Sequence, residues 1–357
     1  MVTKEKLSGK VITVSGPVSG EDLGFTLPHE HLLFDGSVYV IEPTRVSERA
    51  LAQQPVSLEN LSWVRYHYRD NFDVWRLLDV ELAIKELMLF KLVGGQTLVE
   101  CTAIDVGRDP MALVRISRAT GVNIIMGTGY YIAASHGRWV DRKTEEQVAE
   151  KLVSDITDGA EEDFIRSGFI GELGCSWPLK DSERKVLRAA AYAQQQTGAA
   201  IIIHPNRNET GPLEAIGVLR EAGAHLNRVV ISHMDRCGYL LETRLRILEA
   251  GCYIAYDAFG KEGYYPAKAA LADEHLPDMP NDVGRIKEIK ELIGKGYLRQ
   301  ILISQDICLK IDLTRWGGHG YAHILEHVIP LMKVYGLTEE QIVVLTLENP
   351  KNMLTFP

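Results

Sequence analysis

Eight short apolar runs recur along the chain, at residues 25–32, 97–102, 123–131, 168–174, 200–205, 229–235, 252–257 and 301–306. Most are separated by stretches with helical spacing. Residues 60–92 carry Trp75, Leu78, Val80, Ile84 and Leu87 among charges and end at Gly94-Gly95, which predicts a largely helical segment. Helices are also predicted from Pro110 to about Thr120, from Thr144 to about Arg166, and over 182–196, 213–222 and 241–250. Continuous apolar runs suit strands covered on both faces. Eight such strands alternating with helices imply an α/β chain folded as a (β/α)₈ TIM barrel, a single domain over 1–357 with a short N-terminal extension of about 1–22. An open doubly wound sheet is the runner-up, but no Gly-x-Gly-x-x-Gly opens a helix after the first strand. No internal repeat, low-complexity tract or linker divides the sequence. Two irregular stretches, 261–283 and 310–323, follow strand ends, where barrels build their pockets.

Composition narrows the class. With 46% hydrophobic residues the chain buries a large core, yet no segment reaches the roughly 18 apolar residues of a membrane helix. The opening Met1–Leu7 is polar and lacks the apolar centre of a secretory signal, so a cytoplasmic protein without a membrane partner is expected. Lys plus Arg number 39 against 48 Asp plus Glu, a net charge of −9, which argues against a nucleic-acid partner. The five cysteines include no Cys-x-x-Cys pair and read as reduced thiols.

The chemistry concentrates at the run ends. In a strand His29 and His31 project from one face and Glu30 from the other. Glu172, His204, His233 and Asp306 each lie at or beside the C-terminal end of a later run, so a barrel brings all six to one rim. Imidazoles with carboxylates are the donor set of zinc or a similar ion. A catalytic zinc takes about three protein ligands, so six suit two ions: His29, His31 and Asp306 on one, His204 and His233 on the other, Glu172 bridging. A hydroxide shared by two cations roughly 3.5–4 Å apart is a nucleophile at neutral pH. A lone His204 would read as a core residue; a buried Glu172 without a cation or donors is costly.

From Gly24-Phe25-Thr26-Leu27-Pro28-His29-Glu30-His31 to Glu348-Asn349-Pro350 the chain resembles the phosphotriesterase-related family of the amidohydrolase superfamily. Gly107-Arg108-Asp109, Gly127-Thr128-Gly129-Tyr130-Tyr131, Arg188-Ala189-Ala190-Ala191, His204-Pro205, Ser232-His233 and Ile303-Ser304-Gln305-Asp306 carry the likeness. The resemblance implies a binuclear barrel with the six ligands divided as above and Asp306 also carrying the proton from the bridging hydroxide. It further suggests a homodimer. The founding members bridge with a carboxylated lysine, whereas Glu172 places this chain with a Glu-bridged subgroup. Ala258 stands where phosphotriesterases place a relay histidine and the lactonase branch an arginine, and Gln305 where many members carry histidine.

The expected activity is therefore hydrolysis of a small molecule, a carboxylic ester, lactone or N-acyl amide, with two divalent ions, zinc first and manganese or cobalt as substitutes, and at most weak phosphotriesterase activity. The alternatives are a phosphotriester hydrolase and a non-catalytic small-ligand-binding barrel; a nuclease is disfavoured by the acidic balance. Tyr131 is expected near the nucleophile, Arg207 on a substrate anion, Tyr264, Tyr265 and Trp316 in the pocket wall, and Asp235 orienting a ligand or substrate. His136, His319 and His323 are not expected to be ligands.

Overall fold

The computed structural model describes residues 7–160, 164–236, 238–261 and 279–357. Tyr264 and Tyr265, expected in the pocket wall, lie outside the described residues, as does Cys237. A hairpin, β1 (Lys10–Thr13) and β2 (Gly16–Ser19), opens the chain. The first barrel strand is β3 (Thr26–Glu30), and a small antiparallel pair, β4 (Phe34–Asp35) with β5 (Arg76–Leu77), follows. Then come β6 (Thr97–Glu100), β7 (Asn123–Thr128), β8 (Phe169–Gly174), β9 (Ile201–His204), β10 (Val229–Ile231), β11 (Tyr253–Tyr256) and β12 (Ile301–Ile303). Strands β3 and β6 to β12 form one parallel sheet in sequence order, nearly closed into a (β/α)₈ barrel with helices around it.

The strands bury both faces, which is why their sequences read as unbroken apolar runs. Ile201, Ile203, Val229, Ile231, Ile254 and Ile303 face the helices, whereas Ile125, Ile202, Val230, Ala255 and Leu302 fill the barrel. Residues 7–22 are no appendage. Val11 and Leu23 join Met353 and Leu354 in the interior cluster, and Lys10 accepts from the Phe356 N–H at 2.9 Å, so both chain ends plug the barrel floor.

Two predicted helices are shorter than expected. Within 60–92 only Leu61–Tyr66 and Val80–Leu92 are α-helical, because β5 intervenes and Asp79 caps a fresh helix through the Leu82 N–H at 3.1 Å. The acidic helix is Glu145–Thr157 rather than reaching Arg166: Ala160 pairs with Ile165 in an isolated antiparallel bridge. The ends of the barrel meet at a seam between β3 and β12 that is stitched mainly by a side chain. The Glu30 carboxylate accepts from the Ser304 hydroxyl (2.7 Å) and from the Gln305 (2.8 Å) and Ile307 (2.9 Å) N–H groups. The His29 N–H donates to Ser304 Oγ at 3.1 Å, and one backbone bond, Asp306 N–H to His29 O at 3.2 Å, runs beside it.

Candidate metal centre

Inward parity carries the strand ends into the site. His204 follows Ile202 by two residues, Asp257 follows Ala255, and Asp306 continues the series from Leu302 through Ser304. Irregularities re-aim the others. A register shift between Leu27 and Glu30 turns His29 inward while Glu30 goes to the seam, and a second shift between Ile170 and Leu173 surrounds Glu172. His233 (φ 61°) and Asp306 (φ 49°) hold left-handed backbone, a cost that bulky residues bear where position matters.

All six expected ligands converge, buried, at the C-terminal rim. Glu172 Oε1 lies 2.8 Å from His204 Nδ1, 2.9 Å from His233 Nε2 and 3.4 Å from His29 Nε2. Asp306 Oδ1 lies 3.3 Å from His31 Nε2 and 3.8 Å from His29 Nε2. Donor atoms of His29, His31 and Asp306 fall within 4.8 Å of one another, as do those of Glu172, His204 and His233. The set fits divalent ions on its own chemistry. His29 Nε2 is buried without a hydrogen-bond partner, and His233 Nε2 faces His204 Nδ1 at 2.9 Å with the Glu172 oxygen beside both. Nitrogen lone pairs and carboxylate oxygens gathered this closely suit a shared cation.

Electrostatics agree. Burial would raise the Glu172 carboxyl, but His204, His29 and His233 hold it well below the usual range. Burial works the same way on Asp306, where Lys261, His31, His233 and His29 prevail and keep it ionised. Burial, helped by Arg236 and His233, pushes the His204 imidazole down to about 3 against the pull of Glu172, so its lone pair stays available.

A third group joins His29 and His233 to Asp257, which the sequence reading missed although it too ends an apolar run. Asp257 Oδ1 accepts from His233 Nδ1 at 2.8 Å, and its Oδ2 stands 3.4 Å from His29 Nδ1. Ser232 Oγ is 3.0 Å from that same His29 nitrogen, and Thr102 Oγ1 is 2.9 Å from His31 Nδ1, so hydroxyls orient the outer faces of two rings. Lys261, 3.2 Å from Asp306 Oδ2, and Arg236, 3.1 Å from His204 Nε2, were also missed; both stand on loops, where periodicity gives no signal.

The expected substrate residues separate. Tyr131 is at the centre: its hydroxyl meets His204 at 3.0 Å and accepts from the Tyr39 hydroxyl at 2.8 Å. Arg207 lines a cavity of about 760 Å³ above the centre, together with Gln305 and His319. Trp316 does not line it. Its indole N–H donates to Val56 O at 3.2 Å, and it walls a smaller crevice beside Leu32 and Tyr321. Asp235 acts through Asp257: it accepts from the N–H groups of Asp257 (3.3 Å) and Ala258 (3.0 Å) and pairs with Arg285 at 2.7 Å. His136 and His323 are spent elsewhere, on Tyr131 O and Asp282.

Comparison with known proteins places this geometry. The profile of the Phosphotriesterase family matches residues 9–354. The chain belongs to the phosphotriesterase family. Within the phosphotriesterase family it is 42% identical over 356 residues to N-acetyltaurine hydrolase of Bos taurus, covering 98% of this chain and 99% of that one. Among solved structures, a resiniferatoxin-binding protein from Rhodobacter sphaeroides superposes with a TM-score of 0.92 at 32% identity, over 99% of this chain and 98% of the other. The phosphotriesterase homology protein of Escherichia coli, with phosphate in its active site, gives a TM-score of 0.75 at 27% identity over 93% and 99%. The chain is thus a hydrolase of a metal-dependent family, and among the described residues no helix is long and apolar enough to cross a membrane.

Proposed function

We propose that the protein is a binuclear metal-dependent amide hydrolase that cleaves a small N-acyl substrate, N-acetyltaurine being the first candidate. The observation that carries this reading is Glu172, whose Oε1 sits among His204, His233 and His29 while Asp306 faces His29 and His31. Relatives sharing about two fifths of its residues are named for hydrolysis of an N-acyl amide, which supports amide ahead of ester or lactone. His29, His31 and Asp306 would hold one ion, His204 and His233 the other, with Glu172 between them. When bound, two divalent ions, zinc before manganese or cobalt for so imidazole-rich a set, supply an activated water and draw charge from the scissile carbonyl.

The chain's own groups then manage the proton. An amide nitrogen leaves only when protonated, so amide cleavage needs a group that takes a proton from the attacking water and returns it to the nitrogen. Asp306 is ionised at the start and is held between His31 and Lys261, which fits it to that transfer. Water oxygen bonds to the carbonyl carbon, the carbon–nitrogen bond breaks, and the products are a carboxylate and an amine. Tyr131, kept protonated by burial, hydrogen-bonds His204 and faces the same space.

The deciding experiment is elemental analysis of native protein and Glu172→Gln, with assays on N-acetyltaurine, a lactone, a carboxylic ester and a phosphotriester. Two metals per chain, reduced in the variant, with amide hydrolysis at least about 100-fold lower, would support the reading. Fewer than one metal per chain after reloading, or a phosphotriester as the best substrate, would overturn it.

A further inference from the structure

Gln305, the residue before Asp306, stands in the wall of the large cavity with one end of its side chain tied and the other free. Its Nε2 donates to Gly320 O, while Oε1 is buried without a hydrogen-bond partner. Among the described residues that line the cavity, it is the one buried side-chain acceptor left in that state. Asp312, the carboxylate on the same wall, is already engaged by the Cys308 and Leu309 N–H groups at 3.3 and 3.1 Å. The surroundings of Gln305 fix which atom is free. Its backbone N–H is held by the Glu30 carboxylate at 2.8 Å, and Gly320 is anchored in turn by its own N–H on Asp312 O at 2.9 Å. Turning the side-chain amide over would set its oxygen against the Gly320 carbonyl, acceptor to acceptor. An acceptor buried without a donor costs stability, so one kept at a cavity wall points to a donor that arrives with the ligand.

We infer that Gln305 sets the preference for amide over ester, its Oε1 accepting the N–H of the scissile bond in a secondary N-acyl amide. This rests on the amide reading. Such an amide carries a donor on the atom that departs, whereas an ester or lactone carries there an oxygen with lone pairs only, which a second acceptor repels. Asp306, the next residue along the chain, gives its proton to that same nitrogen. With its N–H on Oε1, the nitrogen keeps its other side for Asp306, where a lone pair emerges as the carbonyl carbon becomes tetrahedral. The carbon–nitrogen bond then breaks, and the nitrogen leaves as a neutral amine. A site whose own acceptor is left unpaired by the wrong substrate discriminates more strongly than a fit of shape.

The test uses the purified metal-loaded enzyme and three compounds that differ at the departing atom: N-acetyltaurine, its N-methyl derivative, which lacks the N–H, and the oxygen ester 2-acetoxyethanesulfonate. Wild type is expected to favour N-acetyltaurine over the N-methyl amide by at least about 100-fold in kcat/KM. Gln305→Met keeps the length of the side chain and removes the acceptor. It should lower the ratio of amide to ester kcat/KM about 10- to 100-fold and shrink the preference for the secondary over the N-methyl amide by a similar factor. Its metal content by elemental analysis should match wild type; if the variant loses metal, the wild-type pair of amides decides alone. If wild type turns over the two amides alike, or if Gln305→Met slows amide and ester equally with its metals in place, Gln305 loses this role and the amide reading stands. If wild type cleaves the ester and neither amide, the amide reading falls, and the role drawn from it falls too.

Discussion

Asp257 grips His233 through both backbone and ring. Its two oxygens accept from the His233 N–H at 3.0 and 3.1 Å, and Oδ1 also takes the ring Nδ1 at 2.8 Å, which leaves Nε2 aimed at Glu172. Such a partner fixes the tautomer and orientation of a ligand ring. Asp257→Asn should therefore weaken metal affinity about 10- to 100-fold by competitive chelation, with activity partly restored by excess metal; unchanged affinity would remove Asp257 from this role. The thiols give a second residue-scale prediction. Burial pushes Cys101 and Cys252 up to about 12 and raises Cys175 and Cys308 as well. Iodoacetamide at pH 8 should leave these four largely unlabelled by mass spectrometry until the protein is unfolded. At this scale the sequence is legible where a polar residue interrupts an apolar run: His204 and Glu172 announce themselves that way. Asp257, which the sequence reading did not weigh, gives the same signal. Lys261 and Arg236 give none, since only the path of their loops decides whether a cation folds in over Asp306 or out to water.

The elements around the rim depend on one buried pair. Arg285, on the helix Asp282–Gly294, donates to Asp235 at 2.7 Å and to Asp282 at 3.0 Å, and both Arg285 and Asp235 are fully buried. Asp235 in turn holds the backbone after β11, where Asp257 begins. Asp235→Ala leaves the buried guanidinium with Asp282 and Lys261 O and without its Asp235 bond, so it should cost about 1–3 kcal/mol in urea denaturation and lower metal occupancy with it. A variant of unchanged stability would show that Arg285 is satisfied by Asp282 and Lys261 O. All eight barrel strands are readable as apolar runs because each is covered on both faces. The two overlong helices in the sequence reading have a common cause: helical composition persists after the structure has turned. Nothing in residues 60–92 marks β5 as a strand, since Arg76–Leu77 is only a two-residue partner for β4 and its pairing is tertiary. Trp316 misled for a similar reason, its indole being claimed by Val56 from a distant loop.

The whole barrel is closed by Glu30. With its carboxylate gone, the Gln305 and Ile307 N–H groups and the Ser304 hydroxyl would be buried without that acceptor. Unmade buried bonds cost about 1–3 kcal/mol each, so Glu30→Ala should lose roughly 3 kcal/mol or more, read from the denaturation midpoint. If the midpoint holds, the barrel is closed by other contacts.

Glu30 and Gln305 are 275 positions apart, and the residues on either side of Glu30 are the two histidines that meet Asp306. An ion shared by His29, His31 and Asp306 would thus act as a clasp, joining the first strand of the ring to the last. Cargo and closure become one event: the clasp cannot form until nearly the whole chain has been brought round, and a contact of that reach is slow to make. Once fastened, it steadies the ring by mass action. A chelator should therefore do more than silence the protein. It should unfasten Thr26–Glu30 from Ile301–Ile303, so that hydrogen exchange quickens there ahead of β9 and β10, and restored metal should rescue a ring loosened at Glu30.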